Sequence, residues 1–233
     1  MHPNCFIDSL SPAPQSQLLS LAKPMDLPQG CLLTSSDEST KYVYFLTSGV
    51  ASFVVSAKDG GSAEIGMIGN EGVVGNTSLL GSYAPVADCV MQMPGAGLRL
   101  HVADMQRLFD TSAEVRFLLL QATQQQLYSI SQIAACNRLH GAAERLARWL
   151  LTAADRSGND TIPLTQEAVS QMLGTRRTTV AVVAGALQRS GFIGYQRGSV
   201  SILNREGLTA AACDCYRINK KLVDCLYSNP YRK

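Results

Sequence analysis

The chain has 233 residues, 46% of them apolar and 16% charged, with a net charge of +2. That is enough apolar chain to bury a core without a disulfide scaffold, and too little charge for a disordered polymer. The charge is unevenly placed: residues 1–135 carry 6 Lys/Arg against 11 Asp/Glu, net −5, and residues 136–233 carry 14 against 7, net +7. An acidic half joined to a basic half predicts a division of labour, with the basic half meeting a polyanion.

In chain order, Met1–Phe6 lacks a basic stretch followed by an apolar run. A secretory signal is therefore not expected, and a cytoplasmic location is. Residues 1–30 mix Pro, Ser and Gln, with a short helix expected over Ser16–Ala22 and stopped by Pro24 and Pro28. From about 30 to 103, short apolar runs are cut by glycines and polar turns. They are Tyr42–Leu46, Val50–Val55, Ala63–Ile68, Val86–Met93 and Gly97–Val102. Lys58-Asp59-Gly60-Gly61 between two of them reads as a hairpin. Many short, closely spaced strands predict a small antiparallel barrel or jelly roll. Gly66, Gly69, Gly72 and Gly75 recur at every third residue. They read as turns needing φ > 0 rather than a phosphate cradle, because neither glycine-rich nucleotide fingerprint is present.

After Val102 the pattern turns helical. A short helix is expected over Asp104–Asp110 and a long one over Ser112–Asn137, with Ser112 as N-cap and Glu114 in the first turn. Leu120, Leu127 and Ala134 repeat at seven, with Phe117 and Ile130 beside them, which predicts a homodimer seam. Residues 117–137 hold no charge and could span a membrane by length alone. Five glutamines in that stretch make lipid a costly neighbour, so a partner-facing helix is expected and no membrane contact. His140–Arg156 is a further amphipathic helix.

Residues 165–191 carry the function. Thr165 opens a short helix with Ala168, Val169, Met172 and Leu173 on its apolar side. Gly174 sits where a left-handed C-cap is needed, and Thr175 is placed to N-cap the next helix, which buries Val180, Val183, Ala184 and Leu187. Helix, glycine turn and capped helix form a helix-turn-helix. Its exposed residues Thr165, Gln166, Thr175, Arg176, Arg177, Thr178 and Thr179 are the expected contacts to double-stranded DNA. Arg can bond a guanine edge through two donors, and Thr suits phosphates or thymine methyls. Phe192–Leu203 then reads as two strands joined through Arg197-Gly198-Ser199, a wing whose Arg197 reaches phosphate. One last helix is expected over Arg205–Leu226.

The seven cysteines (5, 31, 89, 136, 213, 215, 225) are odd in number and include no Cys-x-x-Cys, and the three histidines (2, 101, 140) stand far apart. Cys213-Asp214-Cys215 has poor spacing for a zinc knuckle. No metal site and no catalytic residue are expected, and the cysteines read as ordinary half-buried residues.

These pieces resemble the bacterial CRP/FNR transcription regulators over nearly the whole chain. The resemblance rests on Tyr44-Phe45-Leu46-Thr47-Ser48-Gly49, the glycine series Gly66 to Gly75, the long helix, and Leu164–Gly191 with its wing. It implies an α+β chain: an N-terminal β-roll (jelly-roll-like) sensor domain (1–111), a long dimerisation helix (112–138) and a C-terminal winged helix-turn-helix (139–233). It also implies a homodimer on palindromic sites and contact with RNA polymerase. The family's cyclic-nucleotide pocket has a Gly-Glu pair and, several residues on, Arg-Ser/Thr-Ala. Here Asn76 follows Gly75 in the Glu position, Pro85-Val86-Ala87 occupies the Arg region, and no cation lies between Lys58 and Arg99. Cyclic AMP binding is therefore not expected. Cys5 and Cys31 alone make no iron–sulfur signature, and His101 alone makes no haem signature, so the effector is left unassigned. Arg177 matches the family's guanine-reading Arg, whereas Thr178 and Val182 depart from its Glu and Arg. A thiol redox regulator using Cys89 and Cys136 is the alternative. A cupin-like metal enzyme is disfavoured because no His lies between His2 and His101.

Overall fold

The computed structural model of the chain describes residues 2–58, 60–81, 84–196 and 198–227. It opens with α1 (Cys5–Asp8) and α2 (Pro12–Leu21). Asn4 caps α1 and is fully buried, its Nδ2 donating to the Leu46 and Gly72 carbonyls at 3.0 and 3.1 Å. α2 starts at Pro12 rather than Ser16, because a first-turn proline has no N–H that the helix would need. It ends at Leu21, ahead of Pro24 as expected. Pro24 lies in β1 (Lys23–Leu27), an edge strand, where a missing donor is tolerated.

The roll continues with β2 (Leu32–Thr34), β3 (Tyr42–Leu46), β4 (Val50–Ser56), β5 (Ser62–Ile68), β6 (Asp88–Met93) and β7 (Gly95–His101). They form two antiparallel sheets of order β1-β7-β3 and β2-β6-β4-β5. Tyr42 pairs with His101, and Phe53 with both Gly66 and Cys89. Between the sheets lie Leu27, Tyr44, Leu46, Ala51, Ile68 and Met91. The β4–β5 hairpin is closed by Ala57 N donating to the Gly61 carbonyl at 2.7 Å; Asp59 of its turn lies outside the described residues. The glycine series is not one device. Gly75 has φ +84°, as a turn requires, but Gly66 lies within β5. At Gly69 the need is closeness: a Cβ there would stand 3.0 Å from the Arg156 Cβ.

α3 (Val102–Thr111) and α4 (Ala113–Leu139) follow. Ser112 caps α4 as expected, its hydroxyl accepting from Val115 N at 3.3 Å. Both helices pack on the outer face of the roll through a second core that includes Phe6, Phe45, Leu100, Met105 and Leu119.

The basic half comprises α5 (Ala142–Ser157), β8 (Thr161–Pro163), α6 (Gln166–Leu173), α7 (Arg177–Arg189), β9 (Ile193–Gln196), β10 (Ser199–Ile202), α8 (Arg205–Ala211) and α9 (Cys215–Asp224). β8, unseen in the sequence, joins the wing in the order β8-β10-β9. The single helix expected over Arg205–Leu226 is two helices. Ala212 is extended (φ −80°, ψ 149°), and the break turns Cys213 and Cys215 inward against Cys136. Trp149, Leu150, Val169, Val180 and Leu208 share their core with Val50, Met67 and Met93 of the roll, so the two halves are packed together. Among the described residues no helix is long and apolar enough to cross a membrane.

Candidate nucleic-acid interface and the joints behind it

Thr165 caps α6, its hydroxyl accepting from Ala168 N at 3.2 Å. Gly174 ends the helix in the left-handed region (φ 57°, ψ 42°). Thr175 N then donates to the Ser170 carbonyl at 3.0 Å, which closes α6. Thr175 is thereby committed to the turn and does not cap α7. The cap position falls to Arg176, which makes no side-chain bond there. Val180, Ala184 and Leu187 are buried as expected, and Val183 only half-buried. Thr165, Gln166, Arg176, Arg177 and Thr178 are exposed, and Thr175 and Thr179 are half-buried. Arg177 forms an ion pair with Glu167. Thr175, Arg176 and Thr179 line a cleft of 650 Å³ against Gly60–Ser62 of the β4–β5 hairpin. Behind the turn, Arg145 of α5 donates to the Leu173 carbonyl and so fixes the end of α6. Arg197, the expected wing contact, lies outside the described residues.

Along α4, Phe117, Leu120 and Leu127 are 43%, 45% and 60% exposed, and Ala134 is also exposed. These four lie in one apolar stripe open to solvent. Ile130 departs from it: half-buried, it turns toward the roll, its Cγ1 3.6 Å from where a Cβ on Gly66 would stand.

Two family models match the chain in series, a cyclic nucleotide-binding domain over residues 24–112 and a Crp-like helix-turn-helix domain over 144–211. The chain belongs to the CRP/FNR family. Solved structures of similar fold include FixK2 from Bradyrhizobium japonicum (18% identity, TM-score 0.69, 82% of this chain and 98% of that one). The c-di-GMP responsive regulator CLP from Xanthomonas campestris is another (15%, 0.69, 82% and 99%). A third is a CRP-family transcriptional regulator from Thermus thermophilus (18%, 0.69, 82% and 96%). No curated protein matches in sequence.

Within this CRP/FNR fold, Asn76 is buried and donates to the Thr123 hydroxyl of α4 at 2.9 Å, tying the roll to the long helix. Arg99 stacks over the Tyr42 ring, 4.7 Å from its centroid. His101 caps α3, accepting from Ala103 N, and meets the edge of the Tyr42 ring at 5.4 Å. Cys89 is fully buried in β6, and burial pushes its thiol far up, so it holds its proton.

The DNA-binding domain is anchored at two joints that the sequence did not reveal, one to the roll and one to the end of α4. At the first, the buried Glu64 of β5 accepts from Trp149 Nε1 at 3.0 and 3.1 Å and from the Ser52 hydroxyl at 2.7 Å. Burial raises its carboxyl above the ordinary range despite those donors. Beside it Glu71 pairs with Arg156 at 2.8 Å, with side chains 7% and 8% exposed. At the second, the end of α4 meets the α8–α9 break. Cys136 Sγ lies 3.5 Å from Cys213 Sγ, and Cys215 Sγ lies 3.6 Å from His140 Nδ1. All four donor atoms lie within 4.8 Å of one another. Cys136 and Cys213 share a hydrogen bond in which either sulfur can donate; that contact holds the Cys136 thiol below the ordinary range, with Arg148 reinforcing the effect, and the same contact and burial push Cys213 up. Near-neighbour spacing could not disclose this group. Its one local signal is Cys136-x-x-x-His140, a single turn apart on one helix face.

Proposed function

We propose that the chain is a sequence-specific regulator that binds double-stranded DNA as a homodimer on palindromic sites and contacts RNA polymerase. In this reading residues 1–111 sense, 112–138 dimerise and 139–233 bind DNA. The reading is carried by one observation: Arg176, Arg177 and Thr178 stand exposed at the start of α7, directly after the left-handed Gly174 turn. In a helix-turn-helix those positions enter the major groove. Arg177 exchanges Glu167 for a guanine edge, while Thr165, Gln166, Thr175, Arg176, Thr179 and Arg197 serve phosphates and flanking bases. The net +7 of residues 136–233 supports the polyanion.

The solvent-open stripe of Phe117, Leu120, Leu127 and Ala134 supports the seam, since so much apolar surface is costly to leave wet. Ile130 flanks that seam. Cyclic AMP is not the effector in this reading. Asn76 is spent on Thr123, Arg99 on Tyr42, and no Lys or Arg lies between Lys58 and Arg99 to meet a phosphate. No catalytic step is assigned, and the working place is the cytoplasm.

The test is selection of genomic fragments by the purified protein, followed by affinity measurements across a salt series. The logarithm of the binding constant should fall steeply with the logarithm of salt. Arg177→Ala should cost about 1–3 kcal/mol on the selected site and relax preference at one base position. Unchanged affinity and preference in that variant would remove Arg177 from the readout.

A further inference from the structure

The group at the end of α4 has the chemistry of a closed metal site. Three thiols and one imidazole converge from two stretches of chain 77 residues apart. With metal–sulfur bonds of about 2.3 Å and metal–nitrogen bonds of about 2.0–2.1 Å, a tetrahedral ion sets its sulfurs about 3.8 Å apart and sulfur from nitrogen about 3.5 Å apart. The structure has 3.5 Å between Cys136 and Cys213 and 3.6 Å between Cys215 and His140 Nδ1, with every pair inside 4.8 Å. Those edges fit one ion. An iron–sulfur cluster, with sulfides between its irons, would spread its ligands wider. Soft sulfur with one borderline nitrogen selects the zinc class over oxygen-seeking cations. Four protein donors leave no open position, so the ion would be structural, without a place for substrate.

One surrounding group points the same way. Gln132, one turn before Cys136, donates its Nε2 to Cys215 Sγ at 3.1 Å, an outer-shell bond that suits a thiolate. Arg148 is 4% exposed, and its Nε has no hydrogen-bond partner among the described residues. Its charge acts on Cys136 and Cys213 here and on Glu64 at the roll joint. Three thiolates around a dication supply one net negative charge. Plain apolar packing would account for buried thiols, but not for an imidazole nitrogen and an amide donor converging on them.

We propose that Cys136, His140, Cys213 and Cys215 bind one thiolate-seeking divalent cation of the zinc class, which staples the α8–α9 corner to the end of α4. The ion thus fixes α9 against the helix proposed as the dimer seam. The site does not depend on the DNA-binding reading, and its test involves no DNA.

The full chain, expressed with zinc and purified under reductant without chelator, should carry about one zinc per chain by elemental mass spectrometry. Stripped of metal and titrated with Co(II), it should give thiolate-to-metal charge-transfer absorption and the strong visible bands of tetrahedral cobalt, both erased by added zinc. Cys215→Ala and His140→Ala should lose these signals. Gln132→Ala should keep the spectrum and weaken affinity about tenfold or more. His140→Cys, which keeps four donors, should retain binding with the bands shifted toward an all-sulfur site. It serves as the control for variants that fail to fold. The proposal is overturned by protein without bound metal that gives no cobalt spectrum. It is equally overturned by a cobalt spectrum that survives both Cys215→Ala and His140→Ala.

Discussion

The two joints that anchor the DNA-binding domain, one on the roll and one at the end of α4, are built on opposite terms. At the roll joint each charge has its partner inside the chain: Glu64 takes Trp149 and Ser52, and Glu71 takes Arg156, which also donates to the Met67 carbonyl at 2.5 Å. At the α4 joint the groups are soft donors facing one another, with S–H bonds as their internal attraction. Thiols are weak hydrogen-bonding groups. The first joint is complete as protein. The second rests on weak sulfur contacts, whose strength depends on the ionisation of its thiols. Of the two, then, the α4 joint is the one whose strength answers to its surroundings, and the roll joint is the fixed reference.

That contrast can be broken most sharply at Arg156. Arg156→Met would leave the Glu71 carboxylate buried without its cation, and urea unfolding should show a loss of about 3–5 kcal/mol. The loss should be the same with chelator or with zinc; a chelator-dependent loss would merge the joints into one. Trp149→Phe is a milder probe. It keeps most of the ring and removes the N–H that serves Glu64, and should cost about 1–3 kcal/mol in the same assay. The smallest effect is a change of slope. Burial raises the Glu64 carboxyl, so the folded chain holds that proton to higher pH than the unfolded chain. Its contribution is therefore fully present below the unfolded value of 4.5 and is lost as pH rises through the folded one. Glu64→Gln should flatten the decline in melting temperature over that window. A slope unchanged in the variant would place the titration elsewhere.

What the sequence disclosed was what local chemistry decides. Ser112 and Thr165 announce helix starts through their hydroxyls, Gly174 announces a left-handed stop, and glycines at Lys58–Gly61 announce a hairpin. The helix-turn-helix was legible because all its signals lie within one short stretch. The joints were not, because Glu64 and Trp149 stand 85 residues apart and Cys136 and Cys213 stand 77 apart. Thr175 misled for a related reason: a threonine after glycine can serve either helix, and the hydrogen bond to Ser170 decides it. The break at Ala212 is carried by no proline or glycine. Apolar periodicity ran straight through it, and only the inward turn of Cys213 and Cys215 reveals why the chain bends there.

One feature of α4 limits what can ever be cross-linked. Gln132, Cys136 and His140 follow one another by four residues, and at 100° per residue that row lies on the side of the helix away from Leu120, Leu127 and Ala134. In a pair sealed along the latter row, with axes about 8–10 Å apart, the two cysteine groups face outward on opposite flanks, about 20 Å from each other. No disulfide spans such a gap. In such a pair an intermolecular sulfur bridge would have to come from other cysteines, with Cys5 and Cys225 the exposed ones among the described residues.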